Sequence, residues 1–404
     1  MIKREKYLNQ IRPFIGKDLV KVLTGIRRCG KSVMLQLIRL ELIGEGIEPD
    51  RFLIYNFEDM RLVHLLTAEA LHREVSSHLS SRNEKTFLFF DEIQEVENWE
   101  KCVNSLRVEY DCDIFITGSN ATLLSGELAT YLAGRYVEFV IYPFSFAEFI
   151  ELYSSVFPGT AASDAFSHYL LLGGMPYLAQ LGFQAEAAKI YLQDLYNSVV
   201  LKDIISRNEI RNIDLLERII TYAFTNIGNS FSAYSISRYL LSEGRKIAPE
   251  TVLNYLDYCT QAYLIHRVKR HDLKGKKLLT VNEKYYLADH GIREAVFGSN
   301  RQEINLVLEN IVYMELLRRG YQVTVGQLGA REIDFVGKKQ NETLYIQVAY
   351  LLASPQTVER EFGVFDAVKD NFPKFVLSMD EMDMSQGGIH HVNLRDFLLM
   401  PSWI

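Results

Sequence analysis

"GIRRCGKS", residues 25–32, decides how this chain is read. Gly25, Gly30, Lys31 and Ser32 fill every fixed position of G-x-x-x-x-G-K-[ST], the spacing of a phosphate-cradling loop. A chance match is expected in roughly one chain of this size in a hundred. Apolar "LVKVLTG" (19–25) precedes the loop and reads as a buried strand, and "KSVMLQLIRLELIGEG" (31–46) follows it as a helix ending at glycine. In that context the glycines let the backbone wrap phosphates, with N–H groups and a helix N-terminus directed at them. The nucleotide-binding set is therefore Gly25, Ile26, Arg27, Arg28, Cys29, Gly30, Lys31, Ser32 and Val33. Lys31 would reach the β- and γ-phosphates of ATP, and Ser32 would ligate Mg²⁺. Arg27 and Arg28 either add charge near the phosphates or contact later modules. Cys29 reads as a small filler.

Such a loop needs a strand that delivers a carboxylate beside it. "TFLFFDE" (86–92) fits, bringing Asp91 to hold Mg²⁺ through water and Glu92 to polarise the attacking water. The next strand, "DIFITGSN" (113–120), ends in Thr117, Ser119 and Asn120, of which Asn120 is the choice for orienting the water. Beyond it lies Arg135, in "LAGRYVEF" (132–139), either an arginine acting on a neighbour's nucleotide or a solvated turn residue.

At 404 residues, with 48% hydrophobic and 24% charged residues, the chain suits two to four soluble domains. Its net charge of −7 gives no global attraction to nucleic acid, so such binding needs a local basic patch. Cys29, Cys102, Cys112 and Cys259 have neither CxxC nor metal-ligand spacing, which suits a reducing, cytoplasmic setting. No apolar stretch approaches the 18 or so residues that cross a membrane, and "MIKREKYLNQI" lacks the apolar core of a signal peptide.

Strands alternate with helices up to about residue 145, the pattern of a parallel sheet. Residues 146–227 read as helical, with a turn at "LGGMP" (172–176). Two short helices and an extended basic stretch fill about 230–300. From 304 a helix is followed by mixed strand and helix signals.

"GIRRCGKS", "FFDEIQ", "ITGSN", "LAGRYVEFVIYPFSFAEF" and "LGGMP", in that order, resemble the prokaryotic AAA+ class ATPases. They resemble in particular bacterial and archaeal ATP-binding proteins with a C-terminal domain of unknown function. The resemblance covers nearly the whole chain. It implies an α/β P-loop core of AAA+ type over 1–145, a helical lid over 146–228 and a winged helix-turn-helix over 229–300. Over 301–404 it implies a restriction-endonuclease-like α/β domain. It further implies that the Gly174–Pro176 turn opens the lid near the adenine, and that copies of the chain can assemble.

In the winged-helix region "APETVLNYLDYCTQA" (248–262) has the start and spacing of a recognition helix, yet its exposed face is poor in Arg and Lys. The cations come after it: Arg267, Lys269, Arg270, Lys274, Lys276 and Lys277, against Asp272 alone. They suit salt-sensitive contacts to DNA phosphates, or else a basic hairpin on a packing or protein-binding module. In the last region Glu309, Glu332, Asp334 and Gln347 map onto a nuclease-like acidic site. Ala349 stands where the resemblance expects lysine, and Lys338 or Lys339 is the substitute at hand. Cleavage of DNA is therefore doubtful there. Three functions follow: an ATP-hydrolysing switch or motor acting on DNA or a protein complex, an ATP-gated Mg²⁺-dependent nuclease, or a nucleotide-dependent scaffold.

Overall fold

The computed structural model describes residues 2–80, 84–124, 132–230, 232–275, 277–298 and 303–403. They form two compact units, Met1–Pro143 with Gln261–Tyr263, and Phe144–Thr260 with Leu264–Ile404.

The first unit is built on five parallel strands: β1 (Val20–Thr24), β2 (Phe52–Asn56), β3 (Thr86–Asp91), β4 (Cys112–Thr117) and β5 (Tyr136–Val140). Their order is β2-β3-β4-β1-β5. Among the described residues α1 (Glu5–Ile11) precedes β1, and α2 (Lys31–Gly44), α3 (Ala68–Leu79) and α4 (Trp99–Glu109) run between the strands. Strand residues alternate between faces. Val22, Leu88, Phe90, Ile114 and Ile116 pack with Leu71 and Val75 of α3 and with Val103 and Leu106 of α4. On the opposite face Phe52, Phe89 and Phe115 stack in a row, with Arg39 of α2 over Phe52 at 5.7 Å. Burial on both faces is why these strands read as continuous apolar runs. β5 is the one strand that the sequence pattern did not assign. It is a five-residue edge strand with a charged residue at its centre, and it gains its place by pairing with β1 from Val20↔Tyr136 to Thr24↔Val140.

Lys21 and Asp113 form a fully buried ion pair between β1 and β4. The Lys21 ammonium also donates to the Leu19 carbonyl at 2.7 Å, and the Gly16 N–H donates to Asp113 at 2.7 Å. Burial pushes Lys21 down and Asp113 up, each partly offset by the other.

The second unit begins with α5 (Phe146–Val156), α6 (Ala162–Leu172), α7 (Ala185–Ser198), a π-helical turn at Val199–Ser206, and α8 (Ile213–Thr225). Then come α9 (Ala233–Ser242), α10 (Pro249–Gln261), β6 (Ile265–Asp272), β7 (Lys277–Leu287), α11 (His290–Phe297) and α12 (Ile304–Arg318). The remainder is β8 (Gln322–Leu328), β9 (Arg331–Lys339), β10 (Glu342–Val348), α13 (Pro355–Gly363), β11 (Lys374–Ser378), β12 (His390–Asn393) and α14 (Leu394–Leu399). The sequence pattern did not foresee α11. Nor did it foresee that β6 and β7, expected as a wing, join the C-terminal strands in one seven-stranded sheet of order β12-β11-β10-β9-β8-β6-β7. β6 runs parallel to β8 through Arg270↔Val325 to Asp272↔Gln327. Regions 229–300 and 301–404 therefore share a sheet.

Removing one partner of a buried ion pair leaves an uncompensated charge, at a cost of about 3–5 kcal/mol. Asp113→Ala is expected to lower unfolding stability by that amount in urea titration, and the double change Lys21→Met with Asp113→Leu to recover most of it.

Candidate functional site

β1 delivers the chain to Gly25, where a Cβ would lie 2.2 Å from the Ile141 carbonyl oxygen, so only glycine fits. Positive φ at Gly25 (136°), Arg28 (66°) and Gly30 (103°) curls the loop into the backbone signature of an anion nest. Gly30 precedes α2, and no side chain caps that helix. The first N–H groups of α2 are thus available to a phosphate.

Lys31 is buried and donates to the carbonyls of Gly25 (3.1 Å) and Ile26 (3.3 Å). Its ammonium lies 3.6 Å from the Glu92 carboxylate. Asp91 ends β3 and accepts from the Thr117 hydroxyl at 2.6 Å, and the same hydroxyl accepts from the Glu92 N–H at 2.9 Å. β4 makes this possible by lying between β1 and β3. Burial pushes the Asp91 carboxyl up, against the opposing pull of the Thr117 and Ser32 hydroxyls. Burial also pushes Glu92 up, but Lys31 foremost, with Gln94, Arg27 and Ser119, outweighs it and holds Glu92 below its usual value. Glu92 sits at φ 54°, a left-handed conformation that costs a non-glycine residue about 1–3 kcal/mol and is concentrated at functional sites. Hydroxyl and carboxylate oxygens of Ser32 and Asp91 are the hard donors that Mg²⁺ takes.

Other expected residues fall as follows. Ser119 and Asn120 are buried just beyond β4. Arg27 donates to Glu58 at 3.0 Å, and Arg28 and Val33 are exposed. Ile26 is buried, as is Cys29, whose thiol burial pushes up, as fits a filler. Arg135 is exposed and precedes β5 beyond the Val20 end of β1, about 20 Å along the strands from Gly25. The fold does not bring it to its own chain's loop. The strand's sequence favours Asn120, yet Thr117 is the group that joins Asp91 to Glu92.

In the second unit the Gly173–Gly174 turn packs against Asp289. The Gly174 N–H donates to its carboxylate at 2.7 Å, and a Cβ on Gly173 would lie 2.2 Å from it. Glu309 (α12), Glu332 and Asp334 (β9) do come together, and the cation among them is Lys284 of β7. Lys284 is buried, 2.7 Å from Glu332 and 3.9 Å from Glu309. Lys338 and Lys339, the expected substitutes, are exposed at the end of β9. Gln347 accepts from the Asp334 N–H at 3.2 Å, and Asp334 accepts from the Val348 N–H at 2.9 Å. These side chains thus bind the strands to one another. Among the described residues no group of three His, Cys, Asp or Glu is arranged to hold a metal ion.

The basic stretch is smaller than its sequence suggests. Arg270 donates to Glu332 at 3.2 Å, and Arg267 lies 3.9 Å from Glu283. Lys269, Lys274 and Lys277 are exposed, and Lys276 lies outside the described residues. No helix among the described residues is long and apolar enough to cross a membrane.

Residues 17–150 match the family described as an AAA domain, and residues 163–303 a domain of unknown function, DUF8612. An uncharacterized protein of Haemophilus influenzae is 37% identical over 99% of both chains. Another, from Methanocaldococcus jannaschii, is 31% identical over 91% of this chain and 83% of its own. Among solved structures, the Walker-type ATPase of Pyrococcus abyssi aligns with a TM-score of 0.53 and 15% identity, over 73% of this chain and 95% of that one. It shares the fold.

Burial, then Asp334, pushes Glu309 up to about 8, and burial pushes Asp334 up to about 6. A raised acid binds its proton more tightly folded than unfolded. Its contribution to stability is full below the ordinary value of 4.5 and lost as pH rises through about 8. Wild-type urea midpoints should therefore fall from about pH 6.5 to about pH 8, above most of the Asp334 titration. Glu309→Gln should flatten that fall.

Proposed function

This chain belongs to one family with its Haemophilus influenzae and Methanocaldococcus jannaschii relatives and carries an AAA domain; on that footing we propose that it binds ATP with Mg²⁺ and hydrolyses it as a switch. The observation that carries the reading is the convergence of Lys31 on Glu92, 3.6 Å apart, at the uncapped start of α2. Phosphates bind at the loop N–H groups, with Lys31 supplying positive charge to the β- and γ-phosphates. When bound, Mg²⁺ neutralises charge on those phosphates, and Ser32 and Asp91 are the residues that would hold it. Glu92, kept ionised by Lys31, accepts the proton of the attacking water, and Asn120 orients that water. Thr117 keeps Asp91 and Glu92 in register. Arg135 can serve a nucleotide only on another copy of the chain.

A scaffold with negligible turnover is the weaker reading, because buried Lys31 approaches Glu92 to 3.6 Å beside Asp91, an arrangement that binding alone does not require. So is a nuclease, because Glu309 holds its proton, Lys284 pairs with Glu332, and Asp334 and Gln347 are taken up in hydrogen bonds between strands. DNA as the object of the switch is favoured by exposed Lys269, Lys274 and Lys277.

Lys31→Ala should abolish binding of a fluorescent ATP analogue. Glu92→Gln should still bind it but lose at least about 100-fold in turnover, read as phosphate release. Equal, near-zero turnover in wild type and both variants would leave the scaffold. If the hairpin meets a phosphate backbone, reversing Lys269, Lys274 and Lys277 to Glu should weaken DNA binding and reduce the slope of log K against log salt by about 2–3. No DNA binding by wild type at low salt would leave the hairpin without that role.

A further inference from the structure

The chain leaves the first unit at Pro143 and is part of it again only as Gln261–Tyr263. Both places are hydrogen-bonded to the flanks of the phosphate loop.

At the first, Arg4 is 3% exposed, although arginine is almost never buried without a partner that justifies it. Its guanidinium donates to two backbone carbonyls, Cys29 in the loop at 3.2 Å and Tyr142 at 2.9 Å. Tyr7 lies under the guanidinium, 4.5 Å from it, and its hydroxyl accepts from the Tyr142 N–H at 3.1 Å. Residue 142 is thus gripped by its carbonyl and its N–H, and the carbonyl grip is shared with the loop.

At the second, one carboxylate oxygen of Glu138 accepts from two hydroxyls, Thr24 at 2.6 Å and Tyr263 at 3.1 Å. Thr24 is buried and immediately precedes Gly25. Tyr263 is buried at φ 55°, a left-handed conformation that persists only where its surroundings fix it. Packing alone would not require a tyrosine hydroxyl there, or an arginine at position 4.

We infer that Arg4 and the Thr24–Glu138–Tyr263 chain are positioning groups that carry the state of the phosphate loop to the two segments where the chain leaves the first unit. Phosphates that order the loop also restrain the Cys29 carbonyl and Thr24, and each tie restrains its far end with them. This rests on the nucleotide reading above. Neither tie touches the reacting atoms.

Hydrogen–deuterium exchange of the full chain, with and without a β,γ-methylene ATP analogue and Mg²⁺, tests it. Analogue affinity is measured separately by calorimetry. In wild type the analogue should slow exchange by at least about fivefold at amides 141, 142 and 144 and at 260–264. Arg4→Gln should reduce the response at 141–144 to below about twofold while leaving that at 260–264, and Tyr263→Phe should do the reverse. Arg4→Lys, which keeps the charge but reaches one carbonyl, should fall between, and it replaces Arg4→Gln if that variant does not fold. A purely structural role would lower stability in each variant without separating the two responses. Binding by wild type with no response at either segment overturns the inference alone. So do variants that bind and respond as wild type does. No binding by wild type overturns the nucleotide reading, and this inference with it.

Discussion

The phosphate loop stands on the close approach of Gly25 to the carbonyl of Ile141. Any side chain at position 25 would push the loop off β5, because the oxygen it would strike belongs to the backbone. The Ile141 N–H in turn donates to the Thr24 carbonyl at 2.8 Å, so the edge strand and the loop lock each other. From that contact the rest follows. It fixes where α2 starts, hence where Lys31 lies, hence which carboxylate faces Lys31 at the end of β3. The strand order does the remaining work, because β4, next to β3, brings the Thr117 hydroxyl to Asp91 and to the Glu92 N–H.

Much of this was legible in the residues. Phosphate chemistry restricts Gly25, Gly30, Lys31 and Ser32 to a few residue types at fixed spacing, and Asp91-Glu92 closes an apolar run in the manner of a strand that ends at a site. β1 to β4 and the helices between them lie where periodicity puts them. What stayed hidden depends on contacts far apart in sequence. Arg4 meets Cys29 across 25 residues, and Thr24 meets Glu138 across 114. Nothing local marks Arg4 as different from Arg12, or Glu138 as more than a polar residue on a strand edge. Lys284 was missed for a related reason. The residue pattern offers Lys338 or Lys339 in place of Ala349, whereas the cation comes from β7, which reaches the cluster through a pairing of β6 with β8 that no short pattern encodes.

Buried charge is used differently in the two units. Lys21 and Asp113 hold the ends of β1 and β4 away from the loop, and their requirement is only to stay matched. At Lys31 and Glu92 the match is looser, at 3.6 Å, and it is what holds the Glu92 carboxyl below its usual value despite burial. Around Lys284 three carboxylates surround one ammonium, and Glu309 retains a proton that water would remove. The first arrangement is structural and the second suits chemistry. The third closes over the residues that would otherwise resemble a metal site.

The seven-stranded sheet bears on how such a chain can be inherited. Its first two strands precede residue 303, where the likeness to DUF8612 ends, and its other five follow it. A recombination event that cut the gene there would leave β8 without β6 and expose a row of unpaired backbone groups on both fragments. Natural breakpoints are therefore expected outside the sheet, before Ile265 or after Asn393. The hairpin and the C-terminal strands should pass between proteins as one piece, however the sequence is divided.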